Sequence, residues 1–284
     1  MTGAFKAKGL ESPKLCAEML LAHVLGCDRL RLYIEADRPA TPIERQTLRD
    51  LVTRALSHEP VQYLVGEAWF FSLAFKVSPA VLIPRPCTEI IAEHVVQHAR
   101  VTPGFDSPTI ADVCTGSGCL AVSLAKHLKN ARALATDISA EALAVAKENA
   151  ERHGVSDRVE FMRGDLLAPL LQHPSGSRLH YLVANPPYIP DSEWNDPGMV
   201  GKNVKGHEPE LALRAGEDAL RLVRPLIEHG PNHLLDGGLL LVELASSSAE
   251  AALALANAQP DLDSARIVPD LEGLPRTLIA RRKA

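Results

Sequence analysis

In the first part of the chain, apolar residues recur at the spacing of one face of an α-helix. One such set lies at i, i+3, i+4 and i+8 and consists of Cys16, Met19, Leu20 and Val24. A second set lies at i, i+3, i+4 and i+7 and consists of Leu48, Leu51, Val52 and Ala55. Gly26 is placed to end the first helix. The pattern predicts a small helical domain over residues 1–65, which either packs on itself alone or also docks a macromolecule.

From Gly66 to Pro86 the pattern changes to aromatic, β-branched and proline residues. Such residues favour strands, and so many aromatic side chains are not typical of a flexible linker. We therefore predict an ordered β-hairpin connector over residues 66–98. Its apolar residues are Trp69, Phe70, Phe71, Phe75, Val77, Val81 and Ile83.

From Thr109 onward, predicted strands alternate with predicted helices such as Leu120–Leu128 and Ala140–Arg152. This alternation is typical of right-handed βαβ units in a parallel sheet. Residues 99–284 are accordingly predicted to form a doubly wound, Rossmann-like α/β domain. The predicted strands are Thr109–Val113, Ala133–Thr136, Val159–Met162, Tyr181–Ala184, Leu239–Leu244, Arg266–Val268 and Thr277–Ala280.

Length and composition add limits on function. The 284 residues suffice for one α/β domain and a smaller one, and 46% of them are hydrophobic. No apolar run approaches the roughly 20 residues that span a bilayer, and the N-terminus lacks the apolar region of a secretion signal. These features predict a soluble, cytoplasmic protein with no membrane partner. The net charge of −5 and the pI near 6.1 disfavour direct nucleic-acid binding.

Cysteine and histidine spacing predicts no metal site. The five cysteines form no Cys-x-x-Cys pair and are odd in number, which favours buried, reduced thiols. His94 and His98 are four residues apart, but the sequence offers no third ligand near them.

A glycine-containing loop between a predicted strand and a predicted helix is the candidate cofactor site. Glycines there allow a sharp turn and close approach of a ligand to the backbone, and the helix N-terminus adds N–H donors. Asp137, at the end of the next strand, could bind a ribose hydroxyl in either case, and so the loop alone leaves a nicotinamide or flavin enzyme as an alternative. The predicted cofactor-binding residues here are Asp112, Cys114, Thr115, Gly116, Ser117, Gly118 and Asp137.

Asp165 and Leu166 follow the third predicted strand of this domain and should lie at the same carboxyl edge of the sheet. An exocyclic amine of adenine is a plausible partner for the Asp165 carboxylate. Both residues are added to the predicted cofactor site.

The sequence Asn185-Pro186-Pro187-Tyr188 follows the fourth strand and indicates the chemistry. Two prolines make a rigid turn without N–H donors, and the Asn185 side-chain oxygen and Pro186 carbonyl can accept both hydrogens of one NH₂ group. Tyr188 could form an aromatic wall against a planar substrate. Transfer of a sulfonium methyl group needs only a well-placed nucleophile, which fits a loop without carboxylate or histidine. We therefore predict an S-adenosylmethionine-dependent methyltransferase, with Asn185, Pro186 and Tyr188 as catalytic residues.

Several blocks together resemble the HemK/PrmC family of protein-glutamine methyltransferases. Asn-Pro-Pro-Tyr alone also occurs in amino-directed DNA and RNA methyltransferases, but the further blocks are more specific. They are Ile83-Pro84-Arg85-Pro86 with Thr88-Glu89, the Asp112–Gly118 loop, Asp137, Asn185–Tyr188, Glu208–Leu213 and Asp270–Arg276.

The resemblance implies methylation of a glutamine side-chain amide, with Asn185, Pro186, Pro187, Tyr188 and Arg85 on the substrate side and Asn185 also near the cofactor. It further implies that the helical domain docks a protein substrate, typically a peptide chain release factor that presents a Gly-Gly-Gln loop.

The chain departs from the common pattern of this family at three places. Cys114 replaces a glycine, Cys87 replaces a frequent acidic residue, and Ala245-Ser246 stand near Glu243 where glycine and glutamine are common. Cys114, Cys119 and Ala68-Trp69-Phe70 resemble the branch that methylates a ribosomal protein. Pro84-Arg85-Pro86 and Leu274-Pro275-Arg276 resemble the release-factor branch, which we favour. A ribosomal-protein substrate, a nucleic-acid base and a dinucleotide-dependent oxidoreductase remain the alternatives.

Overall fold

A computed structural model describes residues Met1–Ala284, which form two compact units. The first comprises Met1–Glu67 and Val200–Glu208, and the second comprises Ala68–Met199 and Pro209–Ala284. The helices are α1 Thr2–Ala7, α2 Pro13–Leu25, α3 Arg31–Ile34, α4 Pro42–Leu56, α5 Val61–Val65, α6 Glu89–Val101, α7 Cys119–His127, α8 Ala140–Arg152, α9 Ala168–Leu171, α10 Asp191–Asn195, α11 Lys202–His207, α12 Val223–His229 and α13 Ala249–Ala258.

The chain also forms eleven strands, the last two of which follow α13. They are β1 Glu67–Phe70, β2 Leu73–Lys76, β3 Thr109–Val113, β4 Arg132–Asp137, β5 Val159–Arg163, β6 Leu179–Ala184, β7 Ile189–Pro190, β8 Arg214–Gly216, β9 Leu234–Glu243, β10 Leu262–Pro269 and β11 Pro275–Arg282.

The first unit is helical, and its helices begin and end where local signals place them. Thr41 caps α4 with its hydroxyl, and the Glu44 carboxylate accepts from the Thr41 N–H at 2.7 Å, which together form a capping box. Gly26 ends α2 in the left-handed conformation, as predicted. Both predicted apolar faces pack into one core. Its buried residues are Phe5, Ala17, Leu20, Leu51, Ala55, Val61 and Leu64.

The predicted hairpin is formed by β1 and β2, which pair as a two-stranded sheet, but residues 89–98 of the predicted connector belong to helix α6. Phe71 and Ser72 connect the strands with φ angles of 46° and 65°. Two successive residues with positive φ match the twist of a tight hairpin, although neither is glycine. The Glu89 carboxylate on α6 accepts a hydrogen bond from the Phe71 N–H at 2.8 Å and so holds this turn.

A seven-stranded sheet in the order β10-β11-β9-β6-β3-β4-β5 forms the centre of the second unit. The five strands β9, β6, β3, β4 and β5 pair in parallel, and β11 pairs antiparallel with both β9 and β10, so β11 alone runs opposite to the other six strands. Alternate residues of the parallel strands face two separate cores. Leu120 and Leu124 of α7 pack on one face with α6, and Val223 and Leu226 of α12 pack on the other with α13. The predicted doubly wound α/β fold is confirmed.

The strands at the antiparallel side are longer than predicted. The observed β9 begins at Leu234 and ends at Glu243, so Leu244 lies beyond it, and β10 covers eight residues rather than three. Exposed and half-buried residues alternate along β10, which hid its full length from an apolar pattern. The short pair β7 and β8 was not predicted, because two or three residues carry no periodicity.

Two further expectations can be compared with the structure. All five cysteines are unpaired, and each is half-buried rather than fully buried. None of the helices has the length and apolar character required to cross a membrane.

Candidate active site

Most of the predicted site residues follow neighbouring strands of the seven-stranded sheet. The chain leaves β3 toward β4 and β5 on one side and returns to β6 and β9 on the other. This reversal makes the carboxyl ends of β3 and β6 a topological switch point, where open α/β sheets bind ligands. A cavity of about 300 Å³ lies there, within the range of small-molecule sites.

The loop after β3 is held by a buried carboxylate. The Oδ2 atom of Asp112 accepts hydrogen bonds from the Thr115 hydroxyl at 2.6 Å and from the Ala121 N–H at 3.0 Å. These bonds join the end of the strand to the first turn of α7. The other oxygen of Asp112, Oδ1, is buried without a partner. Burial raises the pKa of Asp112 to about 7, although the two hydrogen bonds oppose the rise.

Three positions in this loop have a positive φ for different reasons. Gly116 has a φ of 55° and open space beside it, where a ligand can approach the backbone. Gly118 has a φ of 78°, and a Cβ there would lie 3.0 Å from the Cβ of Ala146 on α8. Cys114 has a φ of 63°, a conformation that suits the glycine common at this position better than a cysteine.

Asp137 at the end of β4 completes the turn of the loop. Its carboxylate accepts hydrogen bonds from the N–H groups of Gly116 and Ser139, both at 2.9 Å. Burial raises the pKa of Asp137, and the N–H donors act in the opposite direction. Each carboxylate oxygen retains acceptor capacity, so a ligand hydroxyl can still bind here.

Asn149 of α8 also fixes the loop after β3. Its fully buried amide donates to the carbonyl of Ser117 at 2.9 Å and to that of Lys76 on β2 at 3.0 Å. The amide oxygen accepts from the Lys76 N–H at 2.7 Å. The hairpin therefore helps to hold the loop through a single side chain.

Asp165 and Leu166 lie beyond β5 and line the same cavity. Leu166 has a φ of 44°, and its carbonyl accepts from the Thr136 hydroxyl at 3.3 Å. The Gly164 N–H donates to the carbonyl of Asp137 at 3.0 Å, which ties this turn to the end of β4. The Asp165 carboxylate is exposed at the rim.

The Asn185–Tyr188 loop after β6 is braced by two residues that sequence analysis did not select. Asn185 donates from Nδ2 to the Thr88 hydroxyl at 3.1 Å, and Thr88 donates to Glu243 Oε2 at 2.5 Å. The Tyr188 hydroxyl donates to Glu243 Oε1 at 3.0 Å. Thr88 is part of a sequence block that resembles the family, and Glu243 precedes a position where the chain departs from the family pattern. No local pattern indicated that the two side chains would meet.

Charge and burial act strongly in this network. Glu243, at the end of β9, is fully buried, and burial raises the pKa of its carboxyl group. Burial also raises the pKa of Tyr188 well above its ordinary value, and the charge of Glu243 adds to the rise. The pKa of Cys87, whose Sγ lies 3.6 Å from Glu243, is raised to about 12 by burial. Tyr188 and Cys87 are therefore protonated donors near neutral pH.

The cavity brings together most of the predicted residues but not all of them. Gly118, Pro186 and Tyr188 do not line it. Gly118 lies against α8, and the Tyr188 hydroxyl is bound to Glu243. The predicted residues that do line it are Arg85, Asp112, Cys114, Thr115, Gly116, Ser117, Asp137, Asp165, Leu166, Asn185 and Pro187.

Comparison with known proteins gives matches over both parts of the chain. The family model described as PrmC N-terminal domain matches residues 1–66, and the model described as Methyltransferase small domain matches residues 86–199. A release factor glutamine methyltransferase of Chlorobaculum tepidum is 40% identical over 96% of this chain and 92% of its own length. A protein of the same name from Moorella thermoacetica is 42% identical over 98% of this chain and 94% of its own length.

Among solved structures, a methyltransferase from Pyrococcus furiosus superposes with a TM-score of 0.53 at 15% identity. The match covers 83% of this chain and 99% of that protein. At this identity the likeness shows the methyltransferase fold and nothing finer.

Proposed function

This chain belongs to the family of release factor glutamine methyltransferases, and we propose that it transfers a methyl group to the glutamine of a release factor's Gly-Gly-Gln loop. The donor is S-adenosylmethionine, whose sulfonium supplies the methyl group. The acceptor is the side-chain amide nitrogen of that glutamine. We place the reaction in the cytoplasm, where release factors act.

The residues around the β3 and β4 ends suit this cofactor. The space beside Gly116 admits a ligand against the backbone, and Asp137 offers carboxylate oxygens for ribose hydroxyls. Asp165 at the rim provides an acceptor for an amine. The loop from Asp112 to Gly118 is already held in shape, so little ordering is needed on binding.

The residues at the β6 end suit an amide substrate. Asn185 gives one N–H to Thr88, its Oδ1 accepts no hydrogen bond from the protein, and the residue lines the cavity. Its Oδ1 can therefore accept one hydrogen of a substrate NH₂ group, and we propose that the carbonyl of the adjacent Pro186, a residue that does not itself line the cavity, accepts the other. Held by both hydrogens, the nitrogen can be aimed at the methyl group and shielded from water.

The observation that carries the proposal is the placement of Asn185 in the same cavity as the cofactor loop. A delocalised amide nitrogen is a poor nucleophile, so orientation by fixed acceptors is the contribution that this chain can make. The cavity offers no cysteine thiolate to serve as an alternative nucleophile, because burial raises the pKa of Cys114 and Cys119.

The test is transfer of labelled methyl groups from S-adenosylmethionine to an unmethylated release factor. We expect label on the Gly-Gly-Gln glutamine, located by mass spectrometry of the digested product. A release factor with that glutamine replaced by alanine is the matched control and should remain unlabelled.

Other substrates give clear contrary results. Label on a large-subunit ribosomal protein but not on the release factor would move the assignment to the sister branch. Label on duplex DNA or RNA with salt-sensitive binding would indicate a base methyltransferase. A thermal shift with NAD but none with S-adenosylmethionine would contradict methyl transfer altogether.

We further propose that the helical first unit docks the release factor. Four large apolar side chains of this unit are mostly exposed: Leu30, Tyr33, Ile34 and Ile43. Exposed apolar groups of this kind mark protein-binding surfaces when they occur together. Ile34→Asp should raise the KM for the release factor by about 10-fold, the effect of a lost binding anchor, and leave the KM for S-adenosylmethionine unchanged. An unchanged KM for the release factor would contradict the docking role.

A further inference from the structure

Glu243 is a buried carboxylate whose two oxygens serve opposite ends of one loop. Oε2 accepts from Thr88, which in turn accepts from Asn185, and Oε1 accepts from Tyr188. A carboxylate without solvent is costly unless its lone pairs are used, and here both oxygens have donors. Asn185 and Tyr188 are the first and last residues of the Asn-Pro-Pro-Tyr loop, and the two prolines between them are stiff.

The Thr88 hydroxyl sets the orientation of the Asn185 amide. A hydroxyl has one hydrogen, and Thr88 is buried with Glu243 Oε2 as its acceptor at 2.5 Å. Its oxygen is then left with lone pairs only, so it must receive an N–H from Asn185 rather than face the amide oxygen. The Asn185 Oδ1 atom therefore points away from Thr88 and is available to accept a hydrogen bond from a ligand.

The geometry points to Glu243 as a positioning residue for methyl transfer: through Thr88 it selects the amide orientation of Asn185, and through Tyr188 it holds the other end of the loop. This inference rests on the proposed function, in which Asn185 Oδ1 accepts from the substrate amide. Glu243 itself does not line the cavity and touches no substrate.

A carboxylate suits this task better than its neutral amide. In a glutamine, one side of the group would be an NH₂ donor, facing either Thr88 or Tyr188. The hydroxyl on that side would lose the acceptor for its hydrogen. Only a group with acceptors on both sides satisfies Thr88 and Tyr188 at once. Burial raises the pKa of Glu243, whereas the hydrogen bonds of Thr88 and Tyr188 and the charge of Arg276 act against that rise.

The test compares three single-residue variants in steady-state kinetics. Thr88→Val keeps the shape of the side chain but removes the hydroxyl, and it should lower kcat by roughly 100-fold, the usual result of a misplaced reacting group. Thr88→Ser restores the hydroxyl and should remain within about 3-fold of the unchanged protein. The dissociation constant for S-adenosylmethionine should change by less than about 3-fold in both.

Thr277→Val is the matched control. Thr277 is fully buried on β11, directly paired with Glu243 across the sheet, and its hydroxyl has no hydrogen-bond partner. The same chemical change should therefore leave kcat within about 2-fold. A kcat of Thr88→Val equal to that of Thr277→Val would overturn the inference. Equal losses in Thr88→Val and Thr88→Ser would also overturn it, because they would indicate packing rather than hydrogen bonding.

Glu243→Gln tests the carboxylate itself. It should lower kcat by about 10-fold or more, since one charge-assisted hydrogen bond is lost. A kcat equal to that of the unchanged protein would show that acceptors on both sides are not needed and would overturn the inference.

A second measurement separates this inference from the proposed substrate. In ¹⁵N-labelled protein, the side-chain amide signals of Asn185 are assigned by their loss in Asn185→Ala. These signals report the hydrogen bond from Asn185 to Thr88 without any substrate. One amide hydrogen should be protected from solvent exchange in the unchanged protein and in Thr88→Ser, and lose protection in Thr88→Val. Protection retained in Thr88→Val would overturn the inference. If the amide hydrogen is protected as expected but the release factor stays unmethylated, the positioning of Asn185 through Thr88 is supported and the proposed substrate is refuted.

Discussion

The two loops that meet at the cavity are held in different ways. The loop after β3 is held by bonds from carboxylates to its own backbone, with Asp112 and Asp137 accepting from nearby N–H groups. The loop after β6 is held by side chains from distant strands and helices, through Thr88 and Glu243. The first arrangement spans shorter separations along the chain: Asp112 binds residues three and nine positions away, Asp137 binds Gly116 21 positions away, and Asn149 binds Ser117 32 positions away. The second joins residues separated by 55 to 155 positions.

This difference suggests a division of roles. A cofactor loop can be made from a short segment with glycines and a carboxylate, because backbone N–H groups are its main binding surface. A loop that must aim two acceptors at one nitrogen needs its side chains locked, and the lock requires partners from elsewhere in the fold. Changes in the two loops should therefore separate cofactor binding from turnover.

The largest effect is expected at Asn185. Asn185→Ala removes an acceptor for the substrate amide, and loss of one such group typically lowers kcat by about 100- to 1,000-fold. The dissociation constant for S-adenosylmethionine, measured by calorimetry, should remain nearly unchanged. Asn195→Ala, at an exposed position outside the cavity, is the control and should behave like the unchanged protein. Unchanged turnover in Asn185→Ala would remove the proposed distinction between the loops.

The next effect concerns the pH dependence of stability at Asp112. Burial raises the pKa of Asp112 from an ordinary 3.8 to about 7. Between these two pH values, Asp112 is protonated in the folded protein and ionised in the unfolded chain. The stability that this group contributes is complete below pH 4 and is lost as the pH rises through 7. The Asp112→Asn side chain is neutral at every pH. Between pH 4 and 7, the free energy of unfolding of this variant should therefore fall by on the order of 3 kcal/mol less than that of the unchanged protein.

The measurement is the free energy of unfolding by denaturant at several pH values for both proteins. Groups that titrate equally in the two proteins cancel in the difference. The Asp112→Asn change also buries a new NH₂ group close to where Asp112 Oδ1 has no partner, but any cost of that burial is the same at every pH. Parallel curves between pH 4 and 7 would show that Asp112 is ionised in the folded protein.

A smaller loss of stability is expected at Gly118. Gly118→Ala combines a positive φ with a close approach to Ala146 and should cost about 2–3 kcal/mol. Gly104 also has a positive φ, of 85°, but open space around it, so Gly104→Ala should cost only about 1 kcal/mol. The difference between the two, read from thermal unfolding, measures the contact of α7 with α8. Equal losses would mean that backbone conformation alone requires Gly118.

The smallest effect is expected at Cys114. Cys114→Gly relieves a positive φ of 63° and should stabilise the protein by up to about 1 kcal/mol, partly offset by greater freedom of the unfolded chain. Cys119→Gly, at the first residue of helix α7 and packed against the core, should instead destabilise by about 1 kcal/mol. Destabilisation by Cys114→Gly would indicate that packing of the Cys114 side chain outweighs the strain.

Much of the architecture could be predicted from periodic patterns. The faces containing Leu20 and Leu51 were visible because burial repeats every three to four residues in a helix. The strands β3 and β6 were visible as short apolar runs, and β10 was underestimated because three of its eight residues are exposed and only Leu262 is buried. The loop after β3 was recognisable because its glycines and carboxylate lie within a few residues of one another.

Sequence alone determined that helical and βαβ patterns follow one another, that a glycine-rich turn follows β3, and that Asn185 begins a stiff loop. These features depend on local conformational preferences and on residues close together in the chain. Only the tertiary structure decided that Thr88 and Glu243 brace this loop, that Asn149 supports the turn, and that the Tyr188 hydroxyl binds Glu243 rather than lining the cavity. Such contacts depend on the order in which strands assemble into a sheet, and no local pattern in the chain encodes which distant side chains that order brings together.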